Sequence, residues 1–259
     1  MIRVGTSGWS YEDWRGPFYP PDLPRNRFLS HYARHFDVAE VNSTYYASPG
    51  IRMVEGLVRR TEGEVVYCVK ANRHMTHERD AGDGAYRDFV AALAPLLEHD
   101  LLGAVLAQFP QSLKPDAEGR RAVERLRRGF EDLPLVFEFR DRSWDDERVY
   151  SWMRAHGVGL SCVDVPKIGS LFPPVTRVTS ERIAYMRCHG RNAAAWYEHD
   201  EAWQRYDYRY GDAQTRQVAR SVRRLHRRAT DVYVFYNNHY RAQAVDGATR
   251  LKQELGLHG

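Results

Sequence analysis

The chain is poor in cysteine and lysine and has no long apolar run. Its three cysteines, Cys68, Cys162 and Cys188, lie far apart inside apolar stretches. An odd, scattered set without a C-x-x-C pair excludes a disulfide framework and a cysteine-based zinc site, and reads as buried thiols. Lysine occurs only at Lys70, Lys114, Lys167 and Lys252, so nearly all the basic charge is arginine. No stretch approaches the ~20 apolar residues of a membrane span. The opening MIRVGTSGWS lacks the charged-then-apolar order of a secretion signal, so a cytoplasmic protein without membrane contact is expected. Disorder is excluded by a hydrophobic content of 43%. Mechanistic motifs are missing as well. There is no Walker A sequence, no H-E-x-x-H and no EF-hand loop, and GTSG around Ser7 is not a G-x-S-x-G elbow.

What is present is a repeated alternation. Apolar, β-branched runs near residues 2–6, 38–42, 65–70, 104–108, 135–140, 159–163, 183–189 and 232–236 read as strands. Helical patterns at 27–36, 51–60, 85–98, 118–130, 145–155, 213–229 and 239–255 separate them, with Pro95 expected to kink or shift the third. Eight strands, each followed by a helix, predict an α/β protein with a (β/α)8 TIM-like barrel, built as a single domain over residues 1–259. The open doubly wound alternative would place a G-x-G-x-x-G turn after the first strand, and GTSGWS does not match it. Two long aromatic-rich connections, 7–24 and 190–212, follow strands and are expected to cover the C-terminal mouth.

Polar residues gather at the C-terminal ends of these strands, where barrel enzymes place their active sites. The pleat of a strand puts Glu40 with Asn42, Glu138 with Arg140, and Arg187 with His189 on shared faces, opposite Phe137, Phe139, Met186 and Cys188. A purely structural network would pair Glu138 with Arg140 or Glu40 with Arg187. A functional pocket would use Glu40 or Glu138 as base and His189 as acid or second base. Lys70, Arg140 and Arg187 would hold an anionic group, with Asn42, His77 and Asn237 nearby, because the Arg fork matches carboxylate and phosphate. Trp9, Tyr45, Tyr46 and Trp144, just beyond strand ends, are candidates for stacking on a sugar or base. No cofactor and no metal are called for. Glu40, Glu138, Asp164, His77 and His189 would suit a divalent ion, but the adjacent cations oppose one. A net charge of +4 does not itself indicate nucleic acid. Arg216, Arg220, Arg223 and Arg227, opposite Val218, Val222 and Leu225, read as a solvated helix face.

Taken together, the strand-end motifs resemble one family, the DUF72 or YecE-like proteins. The pieces are GTSGW at 5–9, FYP at 18–20, EVNSTYY at 40–46, Lys70, Thr76-His77, QFPQS at 108–112 and EFRDRSW at 138–144. They continue with RCHG at 187–190, YDY at 206–208 and FYNN followed by Ala242 and Ala244. Ala47 stands where an Arg often follows the aromatic pair, and Asp141 where His is common. The resemblance implies a TIM-like barrel of unassigned activity and carries over no catalytic residues. From the residues, an enzyme acting on a small phosphorylated or carboxylated substrate, sugar-like ones included, is expected, a metal-independent hydrolase or isomerase. The alternatives are a nucleic-acid-binding or phosphodiester-processing protein using the same mouth, and a non-enzymatic ligand sensor or scaffold.

Overall fold

Each apolar run forms a strand because its β-branched and aromatic residues can bury both faces, one against the barrel interior and one against helices. In the computed structural model, which describes residues 1–257, the strands are β1 (Ile2–Ser7), β2 (Val38–Val41), β3 (Val66–Lys70), β4 (Leu102–Gln108), β5 (Leu135–Glu138), β6 (Gly159–Asp164), β7 (Ile183–Cys188) and β8 (Asp231–Tyr236). They pair in parallel, each with its sequence neighbour, and β8 returns to β1 to close the barrel. Ser7 aligns with Glu40 across β1 and β2, and Gln108 with Glu138 across β4 and β5, which sets these polar side chains at one level.

Helices α1 (Phe28–Tyr32), α2 (Ile51–Arg60), α3 (Arg73–Thr76), α4 (Asp83–Ala92), α5 (Ala94–Glu98), α6 (Ala117–Gly129), α7 (Glu147–Ala155), α8 (Asp212–His226) and α9 (Gln243–Leu255) lie between and after the strands. The segment expected as one helix at 85–98 is two, α4 and α5, with Pro95 in the first turn of α5. Proline is tolerated there because the first turn needs no N–H donor. The pattern at 27–36 gives only a 3-10 turn, Arg25–Arg27, and the short α1. Phe28, Tyr32 and Phe36 are nevertheless all buried, as their spacing requires.

The expectation of a helix after every strand is corrected at one place. Residues 165–182, between β6 and β7, contain no helix. Pro166, Pro173 and Pro174 remove backbone donors, and no helical apolar period runs through the segment. Its chain instead packs on the barrel rim, where Phe172 N–H donates to the Arg140 carbonyl and Arg142 N–H to that of Ser170.

The core has two compartments. Inside the barrel, Val38, Cys68, Ala104, Leu106, Val136, Ile183, Tyr185, Tyr233 and Phe235 form one apolar cluster. A far larger one lies between strands and helices, and includes Val69, Phe137, Phe139 and Cys188. Residues alternate between the two along each strand, so the inner cluster ends upward in the polar strand-end layer. On α8, Val218, Val222 and Leu225 are buried while Arg216, Arg220, Arg223 and Arg227 are exposed, the solvated face expected. No helix of the described residues is long and apolar enough to cross a membrane.

Candidate functional site at the barrel mouth

The top of the inner core is a buried ion network. Arg187, on β7 and 1% exposed, donates from Nη2 to Glu40 Oε1 at 2.7 Å and from Nη1 to Glu138 Oε2 at 2.9 Å. It thereby ties β7 to β2 and β5 across the barrel. The second oxygen of Glu40 accepts from Tyr185 Oη at 2.7 Å. Both oxygens of Glu40 are thus bonded in a fully buried residue, so Glu40 offers nothing to the mouth.

Glu138 is placed differently. Its Oε2 receives Arg187 and, at 3.3 Å, the Ser161 hydroxyl. Its Oε1 lies 2.9 Å from Arg140 Nε and 3.4 Å from His189 Nε2, but neither approach has hydrogen-bond alignment. Burial alone would raise the Glu138 pKa. Arg187 and then Arg140 outweigh it and hold the carboxyl well below its ordinary range. Burial, then Arg140, push His189 down to about 3, so the imidazole is neutral near pH 7. Its Nδ1 faces Asn237 Nδ2 at 3.0 Å. If the amide donates there, the ring proton sits on Nε2, the nitrogen turned toward Glu138.

The remaining cations sit at the open side. Gln108 Oε1 accepts from Lys70 Nζ at 3.0 Å and from Arg140 Nη2 at 3.2 Å. Lys70 Nζ also lies 4.4 Å from the centre of the Tyr45 ring, against which His77 packs edge-on at 5.0 Å. Burial, then Arg187, push the Lys70 amine down to about 7. Burial, then Lys70, push His77 down to about 4. Asn42 is half-buried beyond β2, and its buried Oδ1 has no hydrogen-bond partner.

The expected residues therefore divide. Glu40, Lys70, Glu138, Arg140, Arg187, His189 and Asn237 form one connected group, with His77 and Asn42 at its edge. Trp9 and Trp144 are corrected: neither belongs to it. Trp144 is buried on the outer face, stacked on Phe139 at 4.3 Å, with its indole N–H donating to the Leu113 carbonyl. Trp9 packs against Tyr32 and Tyr67, whose hydroxyls bond outside the barrel. Tyr45 is the expected aromatic that does reach the group, while Tyr46 is 73% exposed beside it. Gln108, Tyr185 and Ser161 were not singled out as site residues. Gln108 stands at a strand end, and stepping back two residues from Arg187 along its face finds Tyr185.

The carboxylates and histidines weighed as ion ligands do not converge. Asp164 is taken by the fork of Arg191, with both contacts at 2.6 Å. Among the described residues, the set whose ligand atoms come together is His74, Glu78 and Asp80, near the surface on and after α3. Over the mouth, the 190–212 connection reaches across from β7, and Tyr197 Oη donates to Gln111 at 3.1 Å. Two of its aromatics, Trp196 and Tyr210, are buried and hold the loop together.

Comparison with known proteins agrees with this architecture. The family model described as "Protein of unknown function DUF72" matches residues 3–259. The UPF0759 protein YunF of Bacillus subtilis (strain 168) is 31% identical over 99% of this chain and 95% of that protein. The UPF0759 protein YecE of Escherichia coli (strain K12) is 26% identical over 54% of this chain and 47% of that protein. Among solved structures, a DUF72 family protein of Thermotoga maritima MSB8 superposes with a TM-score of 0.91 at 37% identity, covering 99% of both chains. Another, from Enterococcus faecalis V583, gives 0.90 at 25% identity, covering 100% of this chain and 97% of its own.

Two stability measurements follow. Replacing Arg187 with Met leaves the buried Glu40 without its cation and Glu138 with Arg140 in place of two guanidinium partners, and is expected to cost about 3–5 kcal/mol in urea denaturation. Lys70→Met, which strips no carboxylate of its partner, is expected to cost less than about 1 kcal/mol. Acid should also destabilise the fold early. His189 and His77 have folded values below the unfolded 6.5, so the unfolded state binds more protons as pH falls from about 6.5. Glu138 adds its own loss below about 4.3. Thermal melts from pH 7 to 4 should show falling Tm already above pH 5, and His189→Gln should flatten that upper part.

Proposed function

The chain belongs to the DUF72 family, whose name assigns no activity, and from the charge balance of the mouth we propose an enzyme acting on a small anionic substrate. One observation carries this reading. Three cations, Lys70, Arg140 and Arg187, face two carboxylates, and Arg187 alone engages both. Arg140 shares Glu138 with Arg187, and Lys70 bonds only a neutral amide among the described residues. One positive charge is thus unbalanced when Lys70 is protonated, and it lies on the accessible side. A carboxylate or phosphate entering there would meet two neighbouring donors whose shared acceptor is a neutral amide.

The other residues then take distinct roles. Arg187 and Glu40 build the floor. Glu138 Oε1, with no aligned hydrogen bond, accepts from a substrate hydroxyl or takes a proton that becomes acidic beside the cations. Neutral His189 donates from Nε2 rather than delivering a proton as an imidazolium. Lys70 and Arg140 recognise the anion, with Gln108 holding both in place.

Thermal-shift titration with inorganic phosphate and with pyruvate, at low ionic strength, tests this. At least one should raise Tm in a saturable way, and Arg140→Met should weaken it tenfold or more, about 1.4 kcal/mol. An unchanged Tm, or a shift indifferent to Arg140→Met, would contradict the reading. Binding of a single-stranded oligonucleotide that falls steeply with salt and competes with the small anion would transfer the mouth to nucleic acid.

A further inference from the structure

We propose that Lys70 is a covalent nucleophile, forming an imine with a small carbonyl compound whose carboxylate, adjacent to the carbonyl, is held by Arg140. The inference rests on the anion-site reading and deepens it by giving the two cations different tasks. Geometry is its main support. Lys70 is the last residue of β3, half-buried, at the end of the strand where barrel chemistry takes place. Its Nζ has no carboxylate partner among the described residues, bonds Gln108, and shares that one acceptor atom with Arg140 Nη2. The two nitrogens are therefore close neighbours, with the Gln108 amide oxygen between them. In a 2-oxo acid the carbonyl carbon and the carboxylate are neighbours, which is the separation such a pair of nitrogens can serve at once. A phosphate or carboxylate without a carbonyl would use both as donors and leave the amine unreacted.

The surroundings favour the free amine. Arg187 from β7 and Arg140 after β5 oppose a third positive charge, while Glu138 and Glu40 are bound to Arg187 and only partly offset them. The Tyr45 ring lies 4.4 Å from the amine, and the neutral His77 packs edge-on against that ring. Desolvation and these cations bring the amine down to about 7, so a substantial neutral fraction exists at physiological pH. The Tyr45 ring face is apolar enough to tolerate a neutral amine and, through its quadrupole, the protonated imine that follows.

The step balances without an oxidant. The lone pair of Lys70 attacks the carbonyl carbon, the C=O π pair moves to oxygen, and a proton passes from nitrogen to that oxygen. Expulsion of the hydroxyl as water, with one further proton, leaves the protonated imine. Its positive charge weakens the bonds at the adjacent carbon.

The experiment is reductive trapping of the full chain with pyruvate and sodium borohydride, read by peptide mass mapping. Only four lysines exist, so the assignment is direct. Lys70 should be alkylated at least tenfold faster than Lys114, Lys167 or Lys252. Arg140→Met should slow labelling tenfold or more, and excess inorganic phosphate should protect. Lys70→Arg should leave only the slow labelling of Lys114, Lys167 and Lys252. Equal labelling of all four lysines, or none at Lys70, overturns the inference. If Tm still rises with pyruvate when trapping fails, the anion site stands and only the covalent step falls. If neither occurs, both fail together.

Discussion

The barrel mouth depends on one guanidinium. Arg187 is almost completely removed from water and carries a charge that the apolar interior cannot solvate. It is tolerable because Glu40 and Glu138 each take one of its two terminal nitrogens. Burial would lower its proton affinity, yet the two carboxylates raise it above the ordinary arginine value. The same contacts depress Glu138 and, with Tyr185, close Glu40 off. A buried ion group of this kind is a poor source of stability compared with apolar packing, but a demanding one in geometry. It fixes three strands that are not neighbours in the sheet, and so fixes the level at which Lys70, Gln108 and Arg140 stand.

Much of this was legible in the sequence because β-strands have a period of two. Phe137 and Phe139 mark the outward face of β5, so Glu138 and Arg140 had to point inward, and Met186 and Cys188 do the same for Arg187 and His189. The structural network foreseen as the bland alternative, Glu40 with Arg187 and Glu138 with Arg140, is present. It does not consume every charge, and the proposed site rests on those left over. Periodicity fails where the strand stops. Trp9 follows Gly8, whose φ of +86° turns the chain out of the pleat, and Trp144 ends a 3-10 turn. Neither position has a face that spacing can assign, and both rings find apolar neighbours outside the barrel. The hydroxyl that completes Glu40 was beyond reach, since Tyr185 closing over it is a contact between residues 145 positions apart.

The relatives extend the fold further than they extend the chemistry. A TM-score of 0.91 across 99% of the chain establishes a shared barrel, but barrels of this type host many unrelated reactions. Function has to be argued from the side chains at the mouth. There the decisive contrast is between charges that are satisfied, Arg187 with its two glutamates, and charges that are not, Lys70 and the open edge of Arg140.

A crystal structure grown in pyruvate at high resolution tests that contrast most directly. The account predicts density for the anion, or for its imine, at Arg140 and Lys70, with Arg187 still bridging Glu40 and Glu138. A mouth holding only water, with Arg140 and Lys70 unmoved and the anion elsewhere, would contradict it.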